Sequence, residues 1–590
     1  ALMKSTDGGK TWTKIQNGFE GDEFGRICLA ISPSDPQRLY AIAESKKTQL
    51  YTTKNGGQSW EKKSGSMNVS WRPFYFSVIT VDPVDPQRIY RPSLSLSISS
   101  DGGESFKESS FEGGWVHSDH HALWINPNNN SHLLLGTDGG VYQSLDKGNS
   151  WSMFGNLPVS QFYHVSIDDK KPFNVYGGLQ DNGSWYAPSQ SAGGIENKDW
   201  ENCGGGDGFW VQPDRENPDI IYSESQGGNV NRFNKKTNEY KDIKPYPLAG
   251  EKKLRCNWNT PIVTSPTNPK TLYYGAQYLY RTRDKGENWD RISPDLTTND
   301  PVKQEQEKSG GISVDNSGAE NHCTIFTIAE SPLDENIIWV GTDDGNIQLT
   351  TDGGKTWNKK NMYLTGLPAH AWVSSIEAST FDKNVVYATF DNHAMGDMKT
   401  YIYKSANMGK TWTSLATPDL KGFAHKIVQD VVRKDLLFLG TELGLWMSFD
   451  DGASWSIYKS GDFPPVSVRD IVIDKKTSSL VIATHGRGIA IFDDLNPLRA
   501  LTADLMGKEM AFLSGNQATL TNGSYNSGFP GSGGYTGPNS TENFVFYYFL
   551  KDRVSSGDMR LEIYNDKGVL VNTIPGTIRK GINKATWDMR

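Results

Sequence analysis

At 590 residues the chain is too long for one ordinary hydrophobic core, so several domains or a repeat architecture are required. Its net charge of −8 is spread evenly, which argues against a nucleic-acid-binding surface, and no apolar run of about 18 residues is available to span a membrane. With 18 tryptophans and 60 glycines, the composition suits many short strands joined by tight turns rather than helices. Cys28, Cys203, Cys256 and Cys323 show no CxxC metal spacing and read either as buried thiols or as containing one Cys203–Cys256 disulfide.

The chain opens on STDGGKTW at Ser5–Trp12 and repeats that phrase with variation seven more times. The copies start at Thr53, Ser99, Ser144, Thr282, Thr350, Ser405 and Ser448, under the pattern S/T-x-D/N-x-G-x-S/T/N-W/F. Asp or Asn caps a turn through backbone N–H groups, Gly takes a positive φ, and the ring anchors the turn on a neighbouring layer. The pattern resembles the Asp-box of sialidase-like (BNR) β-propellers. That resemblance implies a hairpin between the third and fourth strands of each blade, on the face opposite the active site.

Between these phrases run pairs of apolar segments joined by Pro/Asp turns, such as Ile27–Glu44, Val78–Tyr90, Ala122–Gly140 and Ile328–Gly345. Each unit reads as four strands, A to D. Ten units follow one another at spacings of roughly 40 to 65 residues, and Ala1–Gln16 reads as the last two strands of an eleventh. Leu520–Asn543 is a Gly/Ser/Asn/Pro-rich linker, and Phe544–Arg590 alternates apolar and polar residues like the opening half of an Ig-like sandwich. Both ends read as cuts inside domains, so the lack of a signal peptide at Ala1 carries no weight.

More specific segments lie between the repeats: HSDHHALWINP (His117–Pro127), YGGLQDNGSWY (Tyr176–Tyr186), GGGDGFW (Gly204–Trp210), NWNTPI (Asn257–Ile262), ISPDLT (Ile292–Thr297) and THGRGIAIFDD (Thr484–Asp494). In this order they resemble bacterial BNR-repeat, VPS10/sortilin-like "glycosyl hydrolases", which are similar in architecture to two-propeller, xyloglucanase-type glycoside hydrolases. The resemblance implies an all-β fold with the C-terminal part of a first propeller over residues 1–164 and a complete seven-bladed ring over 165–515. A linker over 516–543 and a truncated Ig-like domain over 544–590 follow. A single ten-bladed ring is the alternative.

In a propeller the D–A and B–C loops share one rim. On the complete ring this rule places Gln180, Asp181, Asn182, Trp185, Asp207, Asn257, Trp258, His322, Asp343, Asp344, His370, Asp391, His393, Glu442, His485 and Arg487 together. Glycoside hydrolysis needs an acid and a base or nucleophile flanking the bond, so Asp207, Asp181, Asp343 and Glu442 are the catalytic candidates. The same carboxylates suit turn capping, Asp343 most of all. Gln180, Asn182, Trp185, Asn257, Trp258, His370, His485 and Arg487 are the candidate ligand-binding groups, and Trp210 and Trp372 are further rings able to stack on a sugar. His485 and Arg487 serve equally well to fasten the last blade to the first. In an extended HSDHH segment His117, Asp119 and His121 share one face, a candidate site for a divalent metal such as Zn²⁺.

Two functions follow. The favoured one is a secreted or cell-surface scaffold, sortilin-like, that binds a glycan, peptide or protein partner on the rim and takes part in a surface complex. The alternative is a xyloglucanase-like glycoside hydrolase using a rim pair of Asp/Glu residues. The sialidase arginine triad is missing, which argues against that activity.

Overall fold

The computed structural model describes all residues except 110–114, 310, 315, 361–363, 460–462, 516–517, 519–530, 532 and 590. It is almost entirely antiparallel β-sheet and divides into two units.

The first unit comprises Ala1–Leu157 and Pro301–Glu320. A two-stranded piece (Met3–Lys4 with Thr13–Lys14) precedes three four-stranded sheets whose first strands are Ile27–Ile31, Thr80–Val81 and His120–Ile125. The Pro/Asp turns between first and second strands are side-chain capped: Asp82 Oδ1 accepts from the N–H groups of Val84 and Asp85 at 2.8 and 3.0 Å. Residues 301–320 leave the second unit's sequence to join this one, and Ser313 seats there by donating N–H and hydroxyl to Glu44 Oε1 at 3.0 and 2.6 Å.

The second unit, Pro158–Asp300 with Asn321–Arg590, holds seven consecutive sheets. Their first strands are β1 (Phe162–Ile167), β2 (Gly208–Pro213), β3 (Ile262–Thr264), β4 (Ile325–Ser331), β5 (Trp372–Ala378), β6 (Ala424–Gln429) and β7 (Val468–Ile473). Each sheet packs on the next through these first strands, with the second strand of the third sheet (Leu272–Gly275) meeting β4. β7 packs back onto β1, so the sheets close into a seven-bladed propeller. Phe162, Val165, Phe173 and Val175 of the first blade share one core with Val481 and Ala483 of the last. The chain also closes the ring through its backbone, since the N–H groups of Gly486 and Gly488 donate to Ser160 O at 3.1 and 3.0 Å.

Seven of the eight repeated phrases form the turn between the third and fourth strands of a four-stranded sheet, and the first joins the strands of the opening two-stranded piece, the placement that the resemblance implies. At Thr350–Trp357, Gly354 N–H donates to Thr350 Oγ1 at 3.0 Å, and Asp352 accepts from Thr356 N–H and Oγ1 at 2.9 and 2.6 Å. The fifth residue has positive φ in every copy, from 71° at Gly409 to 100° at Gly354, which is why it is always glycine. The ring of the phrase reaches further than its own blade. The indoles of Trp60, Trp289, Trp357, Trp412 and Trp455 donate to the carbonyls of Ile15, Ile243, Ile292, Lys360 and Leu415, each just past the outer strand of the preceding blade, at 2.7 to 3.0 Å.

After the seventh blade, Met510–Gly515 pairs with Phe544–Leu550, which pairs with Gly581–Trp587. Arg560–Tyr564 and Leu570–Pro575 form a separate hairpin, and Tyr548, Leu550, Leu561, Ile574 and Ala585 share a small core. Most of the sequence expected to be a linker lies outside the described residues, but Gly537 pairs with Ile195 in the first blade. All four cysteines are free thiols, with Cys203 and Cys256 in separate cores, so the Cys203–Cys256 disulfide does not form.

Candidate functional site

Six of the seven first strands carry a β-bulge near their start. A bulge leaves an extra residue outside the ladder, breaks the alternation of side chains and re-aims the extra one. The extra residues are Tyr163 in β1, the Phe209–Trp210 pair in β2, Phe326 in β4, Ser374 in β5, His425 in β6 and Arg469 in β7. The first unit repeats the device at His121.

Around these positions the rim loops assemble two charged groupings. In the first, Asp181 sits at φ 59° in the loop after Asn174–Leu179, a left-handed conformation that Asp tolerates. Its N–H donates to Asp207 Oδ1 at 3.2 Å, while Trp258 Nε1 donates to Asp207 Oδ2 at 3.0 Å. Asp207 N–H is itself held by Gln226 Oε1 at 2.8 Å. Burial, and then the hydrogen-bonded carboxylate of Asp181 beside it, push the Asp207 carboxyl up to about 6. Gln180 Oε1 next to this pair accepts from Gln161 Nε2 at 3.1 Å and from the Tyr163 hydroxyl. Asn182 in the same loop and Trp185 in the strand that follows bond locally, Asn182 Nδ2 donating to Gln180 O at 2.8 Å and Trp185 Nε1 to Asn182 O at 2.6 Å.

In the second grouping, Glu442 Oε2 lies 2.9 Å from His425 Nε2, accepts from Ser467 Oγ at 2.9 Å, and is 3.8 Å from Arg469 Nη2. His425 above all holds the Glu442 carboxyl down to about 2. The Arg469 guanidinium donates to Nδ1 of His485 at 2.5 Å and to Nδ1 of His425 at 3.4 Å. An arginine has no acceptor to offer, so both imidazoles carry their proton on Nε2. Burial first, then Arg469, lowers His485 below the usual imidazole range. Tyr163 joins the two groupings: its phenol feels Arg469 on one side and Asp207 and Asp181 on the other, although burial dominates and raises it.

One residue beyond the bulges, a further network braces the ring. Asp470 Oδ2 meets His164 Nδ1 at 3.1 Å and Asp470 Oδ1 meets Lys426 Nζ at 3.4 Å. Burial acts to raise Asp470, yet Lys426 and His164 outweigh it and hold the carboxyl at about 2.

The remaining predicted residues go elsewhere. Asp343 is buried, accepting from Thr324 N–H at 2.8 Å, from the Thr324 hydroxyl, and from Asn257 Nδ2 at 3.1 Å. Asn257 and Asp343 therefore fasten the third blade to the fourth. His370 is exposed with φ 61°, and Arg487 is exposed on the loop whose backbone closes the ring. In the first unit, His117 Nδ1 turns to Ser118 O at 3.0 Å, and His121 Nε2 lies 3.3 Å from Asp138 Oδ1. Asp119 takes φ 62° and accepts from Ser118 Oγ at 3.0 Å. The left-handed residue and the bulge at His121 break the alternation that was to align the three. Among the described residues no group of three His, Cys, Asp or Glu side chains is placed to hold a metal ion.

The loop rule does not single out Tyr163, His425, Ser467 and Arg469. Their signal is two successive polar or bulky residues at the head of an otherwise alternating strand, as in Tyr163–His164, His425–Lys426 and Arg469–Asp470.

No family model matches the chain. Over 404 residues it is 22% identical to an oligoxyloglucan-reducing end-specific xyloglucanase from Emericella nidulans, a match covering 62% of this chain and 44% of that protein. The chain thus spans less than half the length of this curated relative. Among solved structures it is similar to a GH74 enzyme from Niastella koreensis (15% identity, 79% of this chain, 76% of that one, TM-score 0.25). It is also similar to a GH74 xyloglucanase from Xanthomonas campestris (14% identity, 79% and 72%, TM-score 0.19). The chain is an all-β propeller protein with sequence similarity to a xyloglucanase.

Proposed function

We propose that the chain is part of a xyloglucanase-like glycoside hydrolase, acting outside the cell on a xyloglucan-type glycan at the rim of the seven-bladed ring. The observation that carries this reading is the opposite displacement of two rim carboxyls, Asp207 up to about 6 and Glu442 down to about 2. Environments that push two carboxyls apart separate a proton-donating acid from a permanently ionised partner. Asp207 is the general acid that protonates the leaving oxygen, Asp181 keeps its proton in place, and Glu442 is the anionic group facing the developing positive charge on the sugar. Asp343 is tied into blade packing and has no part in the reaction.

The test is reducing-end release from xyloglucan and other β-glucans by the purified protein. Turnover that falls at least about a hundredfold in both Asp207→Asn and Glu442→Gln supports the reading. Turnover of every glycan that survives both substitutions overturns it.

A second reading, a rim that binds an extracellular glycan or protein partner without turnover, draws on one specific observation. Glu442 is already engaged by His425 and Ser467. It predicts glycan or protein binding that persists in Asp207→Asn with no product under any condition.

A further inference from the structure

Past the seventh blade, the small domain around Tyr548, Leu561 and Ile574 carries a cleft of about 920 Å³. Four cations line it, Arg553, Arg560, Arg579 and Lys580, against one carboxylate, Asp558. All four are exposed. Arg560 Nη2 stands 3.9 Å from Asp558 Oδ2, and Lys580 Nζ 3.3 Å from Asp552 Oδ1, exposed pairs that water screens to little. The guanidinium groups of Arg553 and Arg579 have no hydrogen bond or ion pair among the described residues. The chain as a whole has a net charge of −8, so this gathering of cations runs against its average. Like charges held together repel one another, and an anionic ligand removes that cost.

The walls of the cleft are fixed by buried bonds. Asn583, only 3% exposed, accepts from Arg579 N–H at 3.1 Å and donates to Arg579 O at 2.7 Å, which holds the turn that presents Arg579 and Lys580. Gly576 N–H donates to Met559 O at 2.8 Å and Val554 N–H to Ile578 O at 3.2 Å, tying one wall to the other. A Cβ on Gly576 would lie 2.8 Å from side-chain atoms of Leu561, Met559 and Tyr548, so this approach needs glycine. The Tyr548 hydroxyl takes Thr577 O at 2.6 Å. These bonds occupy the main-chain groups that a peptide docking as an added strand would use. Among the described residues no aromatic ring lines the cleft, so a neutral sugar has nothing to stack on. Charge is what remains for recognition, and three of the four cations are arginines, whose planar fork pairs with oxyanions.

We propose that this cleft binds an acidic polysaccharide, a sugar chain carrying carboxylate or sulfate groups, through Arg553, Arg560, Arg579 and Lys580. A repeating chain engages several separate cations at once, which one small ion cannot do. Met559 and Ile578, partly exposed in the lining, give its C–H groups apolar contact. A volume of about 920 Å³ lies at the upper end of small-ligand sites and admits more than one sugar unit. No residue of the propeller rim takes part, so the site stands whether or not the chain is a hydrolase.

The test titrates the full chain by calorimetry at low ionic strength with dextran sulfate and with polygalacturonate, the sulfate and carboxylate arms. Arg553→Gln combined with Arg579→Gln removes two charges that make no internal bond, so the melting temperature should hold while affinity falls about tenfold or more. Lys355→Gln combined with Lys410→Gln removes the same charge from exposed turns of the propeller and should change affinity less than about twofold. Binding of either polymer that only the arginine pair weakens supports the site, and the polymer that binds names its anion. Equal weakening by both pairs means diffuse attraction and overturns the inference. So does a failure to bind either polymer. Polyglutamate bound as tightly, with the same dependence on Arg553 and Arg579, also overturns it, because the cleft would then read charge on any acidic chain.

Discussion

Trp455 Nε1 donates to Leu415 O at 3.0 Å, joining the last turn of the sixth blade to the end of the fifth blade's outer strand. Trp289, Trp357 and Trp412 do the same at the three preceding junctions of the ring, as Trp60 does in the first unit, so the ring is belted at its periphery from the second blade to the sixth as well as closed at its axis.

Trp455→Phe keeps most of the buried ring but orphans the Leu415 carbonyl. Chemical unfolding should show a loss of about 1 kcal/mol, within the range for one net hydrogen bond. Trp12→Phe is the control, because Trp12 is 59% exposed and donates only to Gly9 O in its own turn. Equal losses in the two variants would remove the belt from the stability argument.

The pH–rate profile should report Asp207. A general acid must be protonated, so kcat/KM falls as pH rises through about 6, the value burial and Asp181 give it. Asp181→Asn removes the smaller of these causes and keeps burial, so the falling limb should move down in pH without reaching the ordinary carboxylate range. A limb that stays in place assigns the acid to another residue.

His425→Ala should release Glu442. A carboxyl held below its ordinary value contributes stability above that value and loses it as pH falls through the folded value, here about 2. The variant should therefore be less stable than the parent at neutral pH, by less than about 1 kcal/mol because Glu442 is part exposed, with the difference closing toward pH 2. Urea denaturation at pH 7 and pH 3 measures it.

Asp343 gives the opposite sign. Burial raises it to about 7, so its contribution is complete below the ordinary carboxylate range and is lost as pH rises toward neutrality. Asp343→Asn should flatten the fall in stability between about pH 4 and pH 7. A slope that is unchanged in the variant would mean that another group titrates there.

The repeated turns are legible because the side chains of Asp352 and Thr350 find their partners within four residues in sequence. The acceptors of the tryptophans were not, since Leu415 is 40 residues from Trp455 and belongs to another blade. The rim rule brought Asp181 and Asp207 onto one side, yet nothing in QDN or GGDG announces that Trp258 completes the pair. His425 and Arg469 were hidden because a strand read at strict period two turns them into blade packing, and only the bulge turns them out. The same device at His121 undid the alignment expected of HSDHH.

The excursion of residues 301–320 has a consequence for how this molecule can be taken apart. The backbone passes between the two units three times, at Leu157–Pro158, Asp300–Pro301 and Glu320–Asn321. A protease nick at the first passage frees Ala1–Leu157 covalently and leaves it held to residues 301–320 by non-covalent contacts such as Ser313 on Glu44. A gene fragment beginning at Pro158 strands the segment that seats Ser313 on Glu44, so the natural boundary of the second unit is a loop to be excised rather than a point at which to cut.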